Sequence, residues 1–219
     1  MTSGALLSLF IVVPLLSAGL AAMLPWEFGR RALGFAVPIA GIGGSIVLLT
    51  QVAGANPRVL ADNVGAFPGG ISIPLVADSF SAIMLLTTAV VSLAAVWFAD
   101  IVGETRARFF PALALMLLGG AWGALLTADL FNLFVFIEVM LMPSFGLIAM
   151  TGTWARLSSA RMFIIVNLMT SLVLVTGVSL TYGVVGTTNL AALAGSAGPR
   201  GGIEFAEGVT GSQWQLVVA

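Results

Sequence analysis

"FFPALALMLLGGAWGALLTADLFNLFVFIEVMLMPSFGLIAM", residues 109–150, is a nearly unbroken apolar run of 42 residues. As a single helix rising 1.5 Å per residue it would be about 63 Å long, twice the roughly 30 Å hydrocarbon thickness of a bilayer. The run therefore has to turn back on itself. Thr127 and Asp129, either side of Ala128, form the polar cluster that suits such a turn, and either side chain can cap the helix that follows. The stretch predicts a tight hairpin of helices over 109–128 and 130–151. The second helix carries an acid, Glu138, near its middle.

The rest of the chain has the same character. Hydrophobic residues make up 59% of it and charged residues 8%, against about 25% charged in a soluble domain. Further apolar runs of spanning length lie near 4–24, 33–54, 78–99 and 160–185. The expected fold is all-α: a polytopic membrane helix bundle of about six transmembrane helices forming one membrane domain over 1–219. The first run has no basic residue before it and is longer than the apolar core of a secretion signal, so it reads as a helix that stays. All eight basic residues are arginines. Alternation of spans puts Arg30, Arg31, Arg106, Arg108, Arg156 and Arg161 on one side and only Arg58 and Arg200 on the other. The excess of arginine in short loops makes the first side cytoplasmic and places the N-terminus outside.

Two outer connections follow from that topology. The first, 54–78, has Gly and Pro punctuation and an alternating piece around Ile71–Ile73, which predicts turns or a small hairpin. The second, 195–213, reads as a glycine-rich loop, and "WQLVVA" after it resembles the first turns of a seventh helix.

The composition also excludes chemistry. With no Cys and no His, the usual ligands of zinc, haem and iron–sulfur clusters are missing, so no cofactor and no metal site is expected. A net charge of -1 offers no basic surface to nucleic acid. "GIGGSI" lacks the spacing of a dinucleotide fingerprint and falls inside a span. Nothing pairs a nucleophile with a positioned base, so an enzyme acting alone is not expected.

Glu138 is nine residues past Asp129, about 13 Å below the outer boundary and close to the membrane midplane. A charged residue at that depth costs about 2.5–3.5 kcal/mol on insertion scales. It persists where the group is neutral, paired, or facing water inside a bundle. A low dielectric favours the neutral acid and a nearby cation favours the carboxylate, so such a group suits a proton or ion relay. Protonated glutamic acid tying helices together is the structural alternative. Pro143 lacks an N–H and frees the carbonyl of Val139, beside the acid, for water or an ion, unless it serves packing alone. Asn132 and Ser144, with Asn167, Thr170 and Ser171 of the last span, are polar groups at or near membrane depth. Asn167 and Thr170 are three apart, hence on one face, and either line a hydrated path or hold helices together. Gly41, Gly43, Gly44, Gly119, Gly120 and Gly123 predict close helix contact. Asp78, Asp100, Glu104 and Asp129 at span ends read as solvated caps, and Arg156 and Arg161 as topology anchors.

"LLTADLFNLFVFIEVMLMPSFGLIAMTG", preceded by "FFPALALMLLGGAWGALL" and "LVADSFSAIMLLTTAVVSLAAVWF", resembles the antiporter-like membrane subunits shared by Mrp-type Na+/H+ antiporters and respiratory complex I, above all the D-type subunits of the Mrp antiporters. The resemblance spans nearly the whole chain. It implies a bacterial plasma-membrane component of a multi-subunit antiporter, contributing part of the path for protons and for Na+ or another monovalent cation, with Mrp-type subunits and membrane lipid as partners. It also implies that Glu138 is the essential glutamate of the fifth helix, which the family pairs with a lysine on the seventh. This sequence has no lysine and resembles the six-helix N-terminal part of such a protein, so the chain alone is expected not to complete transport. A proton-pumping NADH:quinone oxidoreductase subunit and a truncated, non-transporting scaffold are the other readings.

Overall fold

The computed structural model describes residues 3–53, 59–63, 73–150 and 152–196. Six long helices dominate: α1 (Ser3–Met23), α2 (Glu27–Val52), α3 (Ser79–Val102), α4 (Phe110–Leu126), α5 (Leu130–Ala149) and α6 (Trp154–Val185). A short α7 (Leu190–Ser196) follows, and strands β1 (Leu60–Asn63) and β2 (Pro74–Ala77) lie between α2 and α3. The strands pair antiparallel, Leu60 opposite Ala77 and Asn63 opposite Pro74. The small hairpin expected in this connection thus exists with strands at 60–63 and 74–77, whereas Ile71, Arg58, Arg200 and the readings of 197–219 fall outside the described residues.

α2, α3, α5 and α6 are each long and apolar enough to cross a membrane, and α1 and α4 are apolar over shorter stretches. Two helices start well before their expected positions, while α4 (110–126 rather than 109–128) and α5 (ending at 149 rather than 151) are slightly shorter than expected. α2 starts at Glu27 rather than 33, and α6 at Trp154 rather than 160. Hydropathy places the start of a span at its first apolar run, but backbone hydrogen bonding continues through the polar residues before it; in α2, Arg30 is buried with its guanidinium donating to Leu24 O and Pro25 O, and Arg31 pairs with Asp100. α7 fills a stretch to which the sequence assigned no element; Asn189 starts it, its Oδ1 accepting from the N–H groups of Ala191 (2.9 Å) and Ala192 (3.2 Å).

α4 is the central helix, packed on α1, α2, α3 and α5, while α6 packs chiefly on α5. The core combines Leu7 and Phe10 of α1, Leu48 of α2, Leu85 of α3, and Leu115, Trp122 and Leu126 of α4. Trp122 meets Phe10 edge-on, ring centroids 5.4 Å apart, and its Nε1–H donates to Thr88 Oγ1 at 3.0 Å. Glycines set the spacing. A Cβ on Gly120 would stand 2.7 Å from Met140 Cγ, 3.1 Å from Met140 N and 3.2 Å from Phe136 O, so α4 and α5 touch backbone to backbone there. Gly41 and Gly123 are occupied likewise by the rings of Trp122 and Phe136, and Gly44 and Gly119 lie against Phe10 and Leu15. Gly43 differs from expectation: nothing lies within 4 Å of its Cβ position.

The described arginines gather at one end of the bundle. Arg31 pairs with Asp100 across α2 and α3 at 2.5 Å, and Arg156 with Glu104 at 3.5 Å. Those two carboxylates are therefore ion-pair partners rather than caps. Thr105 Oγ1 also donates to Asp100, at 2.7 Å.

Candidate functional site

Glu138 is placed by the α4–α5 hairpin. Leu126 ends α4, and Asp129 caps α5, its Oδ1 accepting from the Asn132 N–H at 2.9 Å. Of the two candidate caps it is Asp129 that binds the free N–H. Thr127 instead accepts from Asn132 Nδ2 at 2.9 Å. Two other segments grip this turn. Ala128 N–H donates to Pro74 O of β2 at 3.0 Å. On the far side the residues after α6 bond to it: Leu130 N–H to Thr188 O (2.9 Å), Leu190 N–H to Ala128 O (2.9 Å) and Thr188 Oγ1 to Asp129 Oδ2 (2.5 Å). The end of α6 is thereby fixed against the start of α5.

With 20 residues, α5 is about 30 Å long. Glu138 lies eight residues from its start, about 12 Å in. It is half-buried at the contact with α6, where the Ser171 hydroxyl donates to Glu138 Oε1. Ser171 is itself buried. No ion pair involves Glu138 among the described residues. On α6 the arginine closest in sequence to Ser171, Arg161, is ten residues away, about 15 Å along the axis. A serine hydroxyl donates to a carboxylate and can turn to accept from a carboxylic acid. The contact therefore serves both charge states of Glu138 without a counter-ion.

The other expected residues divide. Asn167 is half-buried one turn before Ser171 on the same stripe of α6, its Nδ2 bonded to Phe163 O at 2.7 Å. Phe163 packs edge-on against Phe145 of α5, centroids 5.4 Å apart, which sets the register of the two helices. Pro143 is fully buried five residues past Glu138, in a helix that continues through it. Ser144 Oγ bonds back to Met140 O at 2.7 Å. Asn132 is buried in the capping cluster, six residues before Glu138. Thr170 is exposed, its hydroxyl turned to Val166 O at 3.0 Å. The structure thus brings Ser171 to Glu138, and neither Thr170 nor Asn132. Thr170 and Ser171 lie three and four residues from Asn167, both about one helical turn, so spacing alone does not single out Ser171.

Comparison with known proteins agrees with this architecture. The family described as NADH:quinone oxidoreductase/Mrp antiporter, TM, matches residues 127–217, which include α5 and α6. The D-type subunit of a probable K(+)/H(+) antiporter from Rhizobium meliloti (strain 1021) is 38% identical over 168 residues, 75% of this chain and 31% of the relative. The D-type subunit of a Na(+)/H(+) antiporter from Bacillus subtilis (strain 168) is 36% identical over 186 residues, 84% of this chain and 37% of the relative. A chain of the Mrp complex from Dietzia sp. DQ12-45-1b superposes with a TM-score of 0.85 at 41% identity, covering 90% of this chain and 38% of that one. The chain spans about a third of the length of the curated relatives it matches. This polytopic bundle of apolar helices matches, over residues 127–217, the membrane family of NADH:quinone oxidoreductases and Mrp antiporters, and over most of its length it is similar to the D-type subunits of the Mrp antiporters.

Proposed function

We propose that the chain supplies part of the transmembrane proton and ion path of a multi-subunit monovalent cation/proton antiporter in a bacterial plasma membrane, with Glu138 as the relay group. The observation that carries this reading is Glu138 itself. It is a half-buried carboxyl at mid-helix, bonded to a neutral hydroxyl, with no ion-pair partner among the described residues. An acid so placed can exchange a proton or meet a passing cation. Asn167 adds a polar group one turn before Ser171, and Pro143 leaves the Val139 carbonyl, beside the acid, without its helical N–H donor, while Thr170 and Asn132 stand apart. All six long helices cross the membrane, α4 being the shortest at 17 residues, within the range a span needs. The arginine-rich end faces the cytoplasm and the N-terminus lies outside. The chain forms a single membrane domain and works as a transporter subunit rather than as a free-standing enzyme. Na+ and K+ stand in the names of the relatives, and either cation suits the reading.

The family description favours a second reading, a proton-pumping subunit of a quinone oxidoreductase. Everted membrane vesicles from cells lacking their own equivalent of this chain separate the two. The chain is supplied together with the remaining part of a D-type subunit and the other antiporter subunits, and a pH gradient is monitored with a fluorescent dye. Collapse of the gradient on adding Na+ or K+, seen only when the chain is present, supports the antiporter. Proton uptake that instead follows NADH oxidation and ignores the cation overturns it.

A further inference from the structure

A groove of about 470 Å³ runs between α3, α4 and their neighbours at the arginine-rich end, remote from Glu138. Its walls are mostly apolar, with Ala95, Ala99, Phe110, Ala114 and Leu118 among them. Glu104 and Arg156 line it as well. They pair at 3.5 Å, with the Arg156 side chain about half exposed, and an exposed ion pair of this kind contributes little to stability. Along α3 the lining extends from Ser92 to Val102, ten residues or about 15 Å. That is the depth of one leaflet, half of the roughly 30 Å hydrocarbon layer.

Shape and charge narrow the occupant. A single acyl chain is slender enough to enter. The charged end offers Arg30, Arg31, Arg106, Arg108, Arg156 and Arg161 against Glu27, Asp100 and Glu104, an excess of positive charge that suits an anionic headgroup. We propose that this groove binds an anionic phospholipid, one acyl chain lying along α3 and α4 and the phosphate taking Arg156 from Glu104.

Native mass spectrometry of the full chain in detergent, offered equal phosphatidylglycerol and phosphatidylcholine with the same acyl chains, tests this. A one-to-one adduct favouring phosphatidylglycerol is expected. Arg156→Gln should lower the preference about fivefold, the scale of one arginine near an anionic surface. Glu104→Gln should raise it, because Arg156 is then free. Glu27→Gln makes the same charge change outside the groove and should leave it unaltered. Ala114→Phe fills the groove and should remove the first adduct of both lipids while circular dichroism shows native helix content. An unchanged preference in Arg156→Gln overturns the proposal. So does an equal rise in Glu27→Gln and Glu104→Gln, which would mean diffuse surface charge, or an adduct that survives in a folded Ala114→Phe. Should Ala114→Phe not fold, the two glutamate variants decide.

Discussion

Gly120→Ala tests the helix contact on which the position of Glu138 depends. The new methyl would lie 3.1 Å from Met140 N and 3.2 Å from Phe136 O. Both are backbone atoms of α5, so no side-chain rotation relieves them, and α4 and α5 must part or shift. Overpacking of this kind costs about 1–3 kcal/mol. Replacing a mid-helix glycine by alanine also gains up to about 1 kcal/mol of helix propensity, which hides part of that cost. Gly43→Ala is the control: it sits within α2 with nothing near its Cβ position, so it keeps the gain without the clash. The two variants should therefore differ by the overpacking cost alone, about 1–3 kcal/mol, or about 5- to 150-fold in the unfolding equilibrium. Denaturant titration of the purified chain in detergent, followed by circular dichroism, reads this difference. Equal stability of the two variants would refute the claim that α4 and α5 are in backbone contact at Gly120.

Three further outcomes follow from particular contacts. Asp129→Ala removes the α5 cap and the Thr188 bond together and should cost about 0.5–2 kcal/mol or more in the same titration; Asp129→Asn, which keeps a capping oxygen, should recover most of it. The Ser81 N–H at 2.7 Å holds the Asp78 carboxyl below its ordinary value. Its contribution is present above the unfolded value, about 3.9, and is lost as pH falls through the lower folded one. Asp78→Asn should therefore flatten the decline of stability below about pH 4, measured by thermal unfolding at stepped pH. Ser171→Ala removes the hydroxyl that meets Glu138, leaves the pairing of α5 and α6 through Phe145 and Phe163 intact, and should lower exchange in vesicles while assembly stays normal.

Length and charge made much of this structure legible. The turn at Thr127–Asp129 followed from comparing a 42-residue apolar run with the thickness of a bilayer, and Glu138 stood out because carboxyls are rare at that depth. The partner of Glu138 was less legible. α6 is apolar nearly all round, so no hydrophobic stripe tells which of Thr170 and Ser171, adjacent in sequence and about 100° apart on the helix, turns inward. Only the packing of Phe163 on Phe145 decides it. The bond from Thr188 to Asp129 joins residues 59 apart, and no local pattern encodes such a contact. The two capping carboxylates at Asp78 and Asp129 were legible as caps, because a side-chain oxygen before an apolar run is a local signal. Asp100 and Glu104 were not legible as ion-pair partners, because Arg31 and Arg156 reach them from other helices.

The central claim is that the carboxyl of Glu138 carries a proton or meets a cation, rather than merely tying α5 to α6. Cation/proton exchange in the everted vesicles, with Glu138→Gln and Glu138→Asp compared with the native chain at matched membrane levels, tests it most directly. Gln retains a hydrogen bond to Ser171 but cannot ionise. The account predicts that Gln loses exchange, by at least about tenfold for a relay group acting in proton transfer, and that Asp keeps part of it. Exchange at the native rate in Glu138→Gln would contradict the account and make the acid a structural tie.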